Sequence, residues 1–328
     1  MSSEKLLALP DGRTLAYEHT GQLTSSTVVI FFSGTLSVGT ARTPGRVLTS
    51  KGVHYIAPTL PGYGNTSLLA HGTTYAATMA SDTSALIDHL YPNASDLMLY
   101  IAGGSFGTVP AQMLYGAPYD VFPAGRYIKG LLLLGPFPPF KNDKEKNFVY
   151  TRCMTWSNYI SVGPPSRIFP FRLLQHALKL VIQTKLSSQE SAEAFIRQFI
   201  FDNMGEEEKE MYRAWKEERG YAEGQLEREF AQMTRRSVEK SWEGLLSGPD
   251  VLHADWGWGG KGLGELDEEH TKGRPVLLVA ATGDTMTPPA WAEYLATKYA
   301  NARLKMIHGG HLAGLFHMEE IWTEFFQG

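Results

Sequence analysis

LMLYIAGGSFGTVPAQMLYGA, residues 97–117, is the stretch on which the fold turns. It opens as an unbroken apolar run, the pattern of a strand buried on both faces of a parallel sheet. It closes with apolar residues at helical spacing. Gly103-Gly104-Ser105-Phe106-Gly107 sits at the changeover. A tight turn explains glycines there, and so does a nucleophile held where only glycine leaves room.

Strand and helix signals alternate on both sides of this stretch. TVVIFFSG (27–34), VHYIAP (53–58), YIKGLLLLG (127–135) and RPVLLVAAT (274–282) read as further buried strands, and ARLKMIHG (302–309) as the last. Residues 76–90 put Met79, Thr83, Leu86, Ile87 and Leu90 on one helical face. A closing helix is expected over 312–326. Residues 5–9 and 13–19 flank Pro10-Asp11-Gly12, the signature of a β-hairpin. This order predicts an α/β fold: a doubly wound, mostly parallel sheet opened by an antiparallel hairpin.

The rhythm breaks near residue 137. Pro136-Phe137-Pro138-Pro139-Phe140 reads as a hinge, after which the chain becomes helical and more charged until DWGWGGKGLG (255–264). Residues 1–136 and 266–328 are therefore expected to form the core, with 137–265 a helical insertion. Glu206-Glu207-Glu208 reads as a solvated helix start. Trp256 and Trp258 read as packing residues that hold the insertion on the core. The Phe, Met and Trp residues of 137–171 suit either core packing or an apolar pocket.

Of the 328 residues, 43% are hydrophobic and 20% charged, enough for a large core and unlike a disordered chain. The net charge of −4 argues against nucleic acid or an anionic membrane as the main partner. Cys153 is the only cysteine, so no intrachain disulfide and no cysteine-based metal cluster is expected, and it reads as a small buried residue. No apolar run approaches the roughly 20 residues of a membrane span. MSSEKLLALPDG does not resemble a signal peptide, so a cytoplasmic location is expected and the sequons at Asn65 and Asn93 read as coincidental.

Gly103-x-Ser105-x-Gly107 between strand and helix has the form of a nucleophile elbow. A serine on such a sharp turn is crowded on both sides, and the turn aims the Phe106 amide at the space where an oxyanion develops. A serine hydroxyl needs a base, and the base an orienting carboxylate. In this fold class they follow in the order serine, acid, histidine at the ends of later strands. Asp284, in VLLVAATGDTMTPP, and His311, in KMIHGGHLAG, lie at such ends. Asp284 also suits a helix cap or an Asx-turn, and His308 and His317 compete with His311. Gly309-Gly310 favours His311 by freeing its loop.

LPDGRTLAYEHTG, VVIFFSGTLSVG, LPGYGNTS, GGSFG, LLVAATGDTMTPP and IHGGHLAGLFHMEEIWTEFF together resemble the α/β-hydrolase superfamily, over about 5–140 and 265–327. The resemblance implies Ser105 as nucleophile, His311 as base and then acid, and Asp284 as orienter. It places the insertion where that family carries its cap and makes the Thr35 amide the second oxyanion donor, with Leu36 the neighbouring candidate. Ser33-Gly34 stands where the family often has His-Gly, and Thr59 where an Asp is common. Serine at the elbow disfavours the epoxide hydrolases and haloalkane dehalogenases, which use Asp.

The activity implied is hydrolysis of a carboxylic ester, lactone or thioester, on a small and apolar substrate, without metal or organic cofactor. The Gly-Gly-Ser-aromatic-Gly elbow is also similar to that of proline iminopeptidases, which recognise an amino terminus through cap carboxylates. Lyase, cyclase, decarboxylase and ligand-receptor uses of the same scaffold stay open. The sequence assigns no pocket-lining residues and no oligomeric state.

Overall fold

A computed structural model describes residues 4–42, 45–92, 96–140, 152–258 and 265–327. Asn93 and parts of the insertion, 141–151 and 259–264, lie outside the described residues. Eight strands form one sheet: β1 (Lys5–Ala8), β2 (Thr14–Thr20), β3 (Thr27–Phe32), β4 (His54–Pro58), β5 (Met98–Gly104), β6 (Ile128–Leu134), β7 (Val276–Ala281) and β8 (Ala302–Ile307), in the order β1-β2-β4-β3-β5-β6-β7-β8. β1 and β2 are antiparallel and β2 meets β4 antiparallel; every later pairing is parallel. The α/β class and the opening hairpin stand as the sequence predicts.

Helices α1 (Arg46–Ser50), α2 (Tyr75–Leu90) and α3 (Thr108–Tyr115) connect the first six strands. Within α2, the Thr74 hydroxyl accepts from the Ala77 amide at the N-terminus, and Met79, Thr83, Leu86 and Ile87 are buried. The sheet separates two apolar layers by strict alternation. Val276 and Leu278 of β7 join Leu99, Ile101, Val109, Met113 and Leu131 in one layer. Leu277 and Val279 turn the other way, to Leu132, Ile307, Ile321, Trp322 and Phe325. Burial on both faces is why the central strands are continuously apolar.

Between β6 and β7 run α4 (Trp156–Ser161), α5 (Pro165–Ile168), α6 (Leu173–Lys185), α7 (Gln189–Ile196), α8 (Glu206–Arg219), α9 (Gln225–Val238), α10 (Glu243–Leu246), α11 (Gly248–Leu252) and α12 (Glu268–Thr271). Ile182, Ile196, Phe201, Tyr212, Trp215 and Leu226 give these helices an apolar cluster of their own. Trp256 and Trp258 are buried, and the Trp258 indole donates to the Gln112 carbonyl of α3 at 3.2 Å. They pack, as the sequence reading favoured. Cys153, expected to be buried, is half-buried against the first apolar layer.

α13 (Pro289–Lys298) follows β7. The single closing helix expected over 312–326 is instead two, α14 (Ala313–Phe316) and α15 (Met318–Gln327), with His317 at the break.

One buried relay sits at the hairpin side of the sheet, away from the strand ends that carry the elbow. His54 of β4, with no exposed surface, hydrogen-bonds His19 through its Nε2 at 2.7 Å and the Tyr91 hydroxyl through its Nδ1. Burial, then the charges of His19 and Lys5, holds its pKa down at about 4. Below pH 6.5 the unfolded chain binds a proton that folded His54 refuses. The stability is therefore complete above pH 6.5 and falls as the pH drops toward 4. About 2 kcal/mol should be lost between pH 7.5 and pH 5. Urea midpoints at the two pH values measure it, and His54→Gln should flatten the dependence; parallel profiles for variant and parent would contradict the assignment.

Candidate active site

β5 ends at Gly104, Ser105–Gly107 form a single tight helical turn, and α3 starts at Thr108. Ser105 takes φ +52, a left-handed conformation that costs a residue with a Cβ. The glycines around it are required by backbone contact. A Cβ on Gly103 would stand 2.3 Å from the Gly107 carbonyl oxygen, and one on Gly107 only 2.0 Å from that of Phe32. Gly104 differs: a Cβ there meets just the Phe31 ring, at 3.4 Å. Gly107→Ala should accordingly destabilise the fold by at least ~2 kcal/mol while Gly104→Ala stays near wild type. Denaturant midpoints for the pair check this, and equal tolerance of both methyls would refute it.

The elbow is braced from beneath. The Thr108 hydroxyl donates to the Ser105 carbonyl at 2.6 Å and accepts from the Phe137 amide at 3.1 Å. Buried Gln112 donates to the carbonyls of Thr108 and Phe137, at 3.0 and 2.9 Å, and accepts from the Tyr299 hydroxyl. Phe106 buries its ring near Tyr75 and Phe137. Its N–H opens the helical turn, where helix geometry provides no acceptor. The loop after β3 closes over this point: a Cβ on Gly34 would lie 3.0 Å from Ser105 Cβ, and Leu36 takes φ +56 beside Thr35.

Asp284 follows β7 and is buried. Its Oδ1 accepts from the amides of Met286 at 2.8 Å and Thr287 at 3.0 Å, and its Oδ2 from the Thr287 hydroxyl at 2.6 Å. That same Oδ2 meets His311 Nδ1 at 2.8 Å. The Asx-turn and the contact with histidine are thus one arrangement. Burial pushes the Asp284 pKa up, but the His311 and Thr287 interactions outweigh it and hold the carboxyl below its ordinary value. His308 is exposed, and His317 pairs with Glu320 at 3.3 Å. His311 alone of the three meets the Asp284 carboxylate. Among the described residues no hydrogen bond joins the Ser105 hydroxyl to His311; such bonds commonly tighten only once substrate is bound.

Two residues near the site escaped the sequence reading. Thr287 orients Asp284 and approaches His311 Nδ1 at 3.4 Å. Glu208 corrects the expectation of a solvated run. It is buried where α8 meets the histidine loop, close enough that a Cβ on Gly310 would lie 3.2 Å from its carboxylate. Burial raises its pKa, the Gly310 amide and His311 pull it down, and Asp284 raises it. Glutamates at a helix start look alike in sequence, and only tertiary packing separates this one.

A cavity of about 680 Å³ lies between helices α8 and α9 and the sheet, lined by Val38, Trp215, Phe230, Met233, Leu315 and Met318 together with Arg42, Arg219 and Arg236, and none of Ser105, Asp284 or His311 lines it. Among the described residues no cluster of metal-ligating side chains occurs, and no helix is long and apolar enough to cross a membrane.

Comparison with known proteins bears on the fold that carries these residues. The model of the alpha/beta hydrolase family covers residues 30–324. The chain belongs to that family. Solved α/β-hydrolase structures share its fold at low identity. An esterase from Exiguobacterium antarcticum is 17% identical, with TM-score 0.58 and 98% of each chain covered. The enol-lactonase from Burkholderia xenovorans LB400 is 14% identical, with TM-score 0.58, covering 99% of this chain and 100% of its own. A thermophilic esterase from Thermogutta terrifontis is 17% identical, with TM-score 0.51, covering 99% and 97%. No curated protein matches the sequence.

Proposed function

We propose that this α/β hydrolase is a serine hydrolase cleaving a carboxylic ester, lactone or thioester of a small, largely apolar substrate. The observation that carries the reading is the 2.8 Å bond between Asp284 and His311, on loops flanking the elbow of Ser105. Ser105 attacks the carbonyl and His311 Nε2 takes its proton. Asp284 holds the imidazole in the required tautomer and stabilises its cation. The amides of Phe106 and Thr35 receive the oxyanion, each donor worth about 2.7–4 kcal/mol. His311 then protonates the leaving group, and water releases the acyl group from Ser105. Residues 137–265 act as a cap over the core of 1–136 and 266–328.

Glu208 favours a second reading, the aminopeptidase alternative, because a buried cap carboxylate beside His311 could take a substrate ammonium. A fluorophosphonate probe with intact-mass and peptide mapping tests the nucleophile: one adduct is expected, on Ser105. Turnover of aryl esters against aminoacyl arylamides then separates the two readings. Absence of any adduct, with no turnover of either class, would refute both.

A further inference from the structure

The outer face of the insertion breaks the usual rule for a soluble surface. Trp156 is 78% exposed, Ile168 74% and Phe171 88%, and Phe169 and Leu173 beside them are also exposed. The patch continues along α6, where Leu173, Ala177, Leu180 and Val181 recur at helical spacing on the exposed side. Scattered apolar side chains are ordinary, but a contiguous group of this kind marks an interaction surface. Its tip is held out by the backbone: Phe171 and Arg172 both take positive φ, +56 and +52, ahead of α6.

The charges carried by the patch's own segment have one sign. From residue 152 to 189 the chain contains Arg152, Arg167, Arg172, Lys179 and Lys185 and no Asp or Glu. Arg172 is committed to Asp250, at 2.8 Å, and to Glu243, and Lys179 lies over the Trp242 ring. Arg167 and Lys185 are exposed and form no ion pair among the described residues. The whole-chain charge of −4 averages this segment away.

We infer that the α4–α6 face of the insertion is a docking surface for an anionic lipid bilayer. Apolar side chains on a protruding turn and an amphipathic helix enter the interface, while flanking cations meet lipid phosphates. A second copy of the chain fits poorly. Two-fold pairing through this face would bring two copies of the same basic segment together, with no carboxylate in the segment to neutralise them. The face is also tied to the candidate active site. Asn158 of α4 donates to the carbonyls of Thr285 and Met286, at 2.8 and 3.2 Å, in the loop that carries Asp284. Docking there presents the site's own rim to lipid-dissolved molecules.

Vesicle sedimentation with the full chain tests this, using the Ser105→Ala variant so that binding is read apart from turnover. Vesicles rich in phosphatidylglycerol should bind the protein at least tenfold more tightly than phosphatidylcholine vesicles, and raising the salt should weaken the binding. Arg167→Gln and Lys185→Gln should each cost about fivefold, and Phe171→Ser at least tenfold, with circular dichroism unchanged. Trp156 fluorescence should shift to the blue on binding, and Trp156→Phe should remove that shift. Failure to bind anionic vesicles, binding indifferent to these substitutions, or a concentration-dependent dimer that buries Trp156 would each overturn the proposal.

Discussion

Replacing Ser105 should abolish turnover and reverse the usual stability order of alanine and glycine. The loss in kcat for Ser105→Ala is expected to be on the order of 10⁴–10⁶, since the base and the oxyanion donors achieve little without a nucleophile. The stability result follows from the backbone. In ordinary strand or helix positions glycine is less stable than alanine by about 0.5–1 kcal/mol. At residue 105 φ is +52, and alanine keeps the strain that serine bears. Ser105→Gly relieves it and should exceed Ser105→Ala by about 1 kcal/mol in unfolding free energy. Urea titrations of the two variants, beside single-turnover kinetics, read both effects. Retained turnover in either variant would remove Ser105 from the chemistry, and the ordinary alanine-over-glycine order would remove the strain.

That strain belongs to the part of the molecule that local sequence expresses well. Gly103 and Gly107 are glycine because Gly107 and Phe32 carbonyls occupy the space of their side chains, so the constraint is written directly in residue type. The buried strands were equally legible: Val276 to Val279 must face two apolar layers at once, and nothing but a continuous apolar run does so. Glu208 shows where legibility ends. Glu206, Glu207 and Glu208 are chemically identical neighbours, and only the approach of α8 to Gly309 and Gly310 buries the third. Thr287 is a milder case, for Asp284-x-x-Thr287 fits an ordinary Asx-turn, and its second role appears only when His311 arrives from β8. The break at His317 and the exposed face of α6 were hidden for the same reason, because which side of a helix meets the core is decided by partners distant in sequence.

The arrangement around Asp284 gives the second large effect its direction. Asp284→Asn should lower kcat about 10⁴-fold while leaving the fold intact, and the hydrogen bonds explain why. The Oδ1 position accepts from two backbone amides, those of Met286 and Thr287, and a side-chain NH₂ cannot replace an acceptor there. The introduced asparagine must therefore put its oxygen at Oδ1 and its NH₂ at the Oδ2 position, facing His311 Nδ1. The Thr287 hydroxyl adapts by rotating from donor to acceptor. His311 Nδ1 then has to accept rather than donate, so the neutral ring carries its proton on Nε2, the nitrogen that must receive the proton of Ser105. In the proposed mechanism the base is then present but in the wrong tautomer. Nitrogen-15 spectra of the imidazole should show the proton moved from Nδ1 to Nε2, and circular dichroism should match the parent. Thr287→Val, which removes one bond to the carboxylate but leaves both amides at Oδ1, should cost only about tenfold, on the scale of a single hydrogen bond to a charged group. A Thr287→Val loss as large as that of Asp284→Asn, or an Asp284→Asn variant with near-native turnover, would contradict the tautomer argument and the role assigned to Asp284.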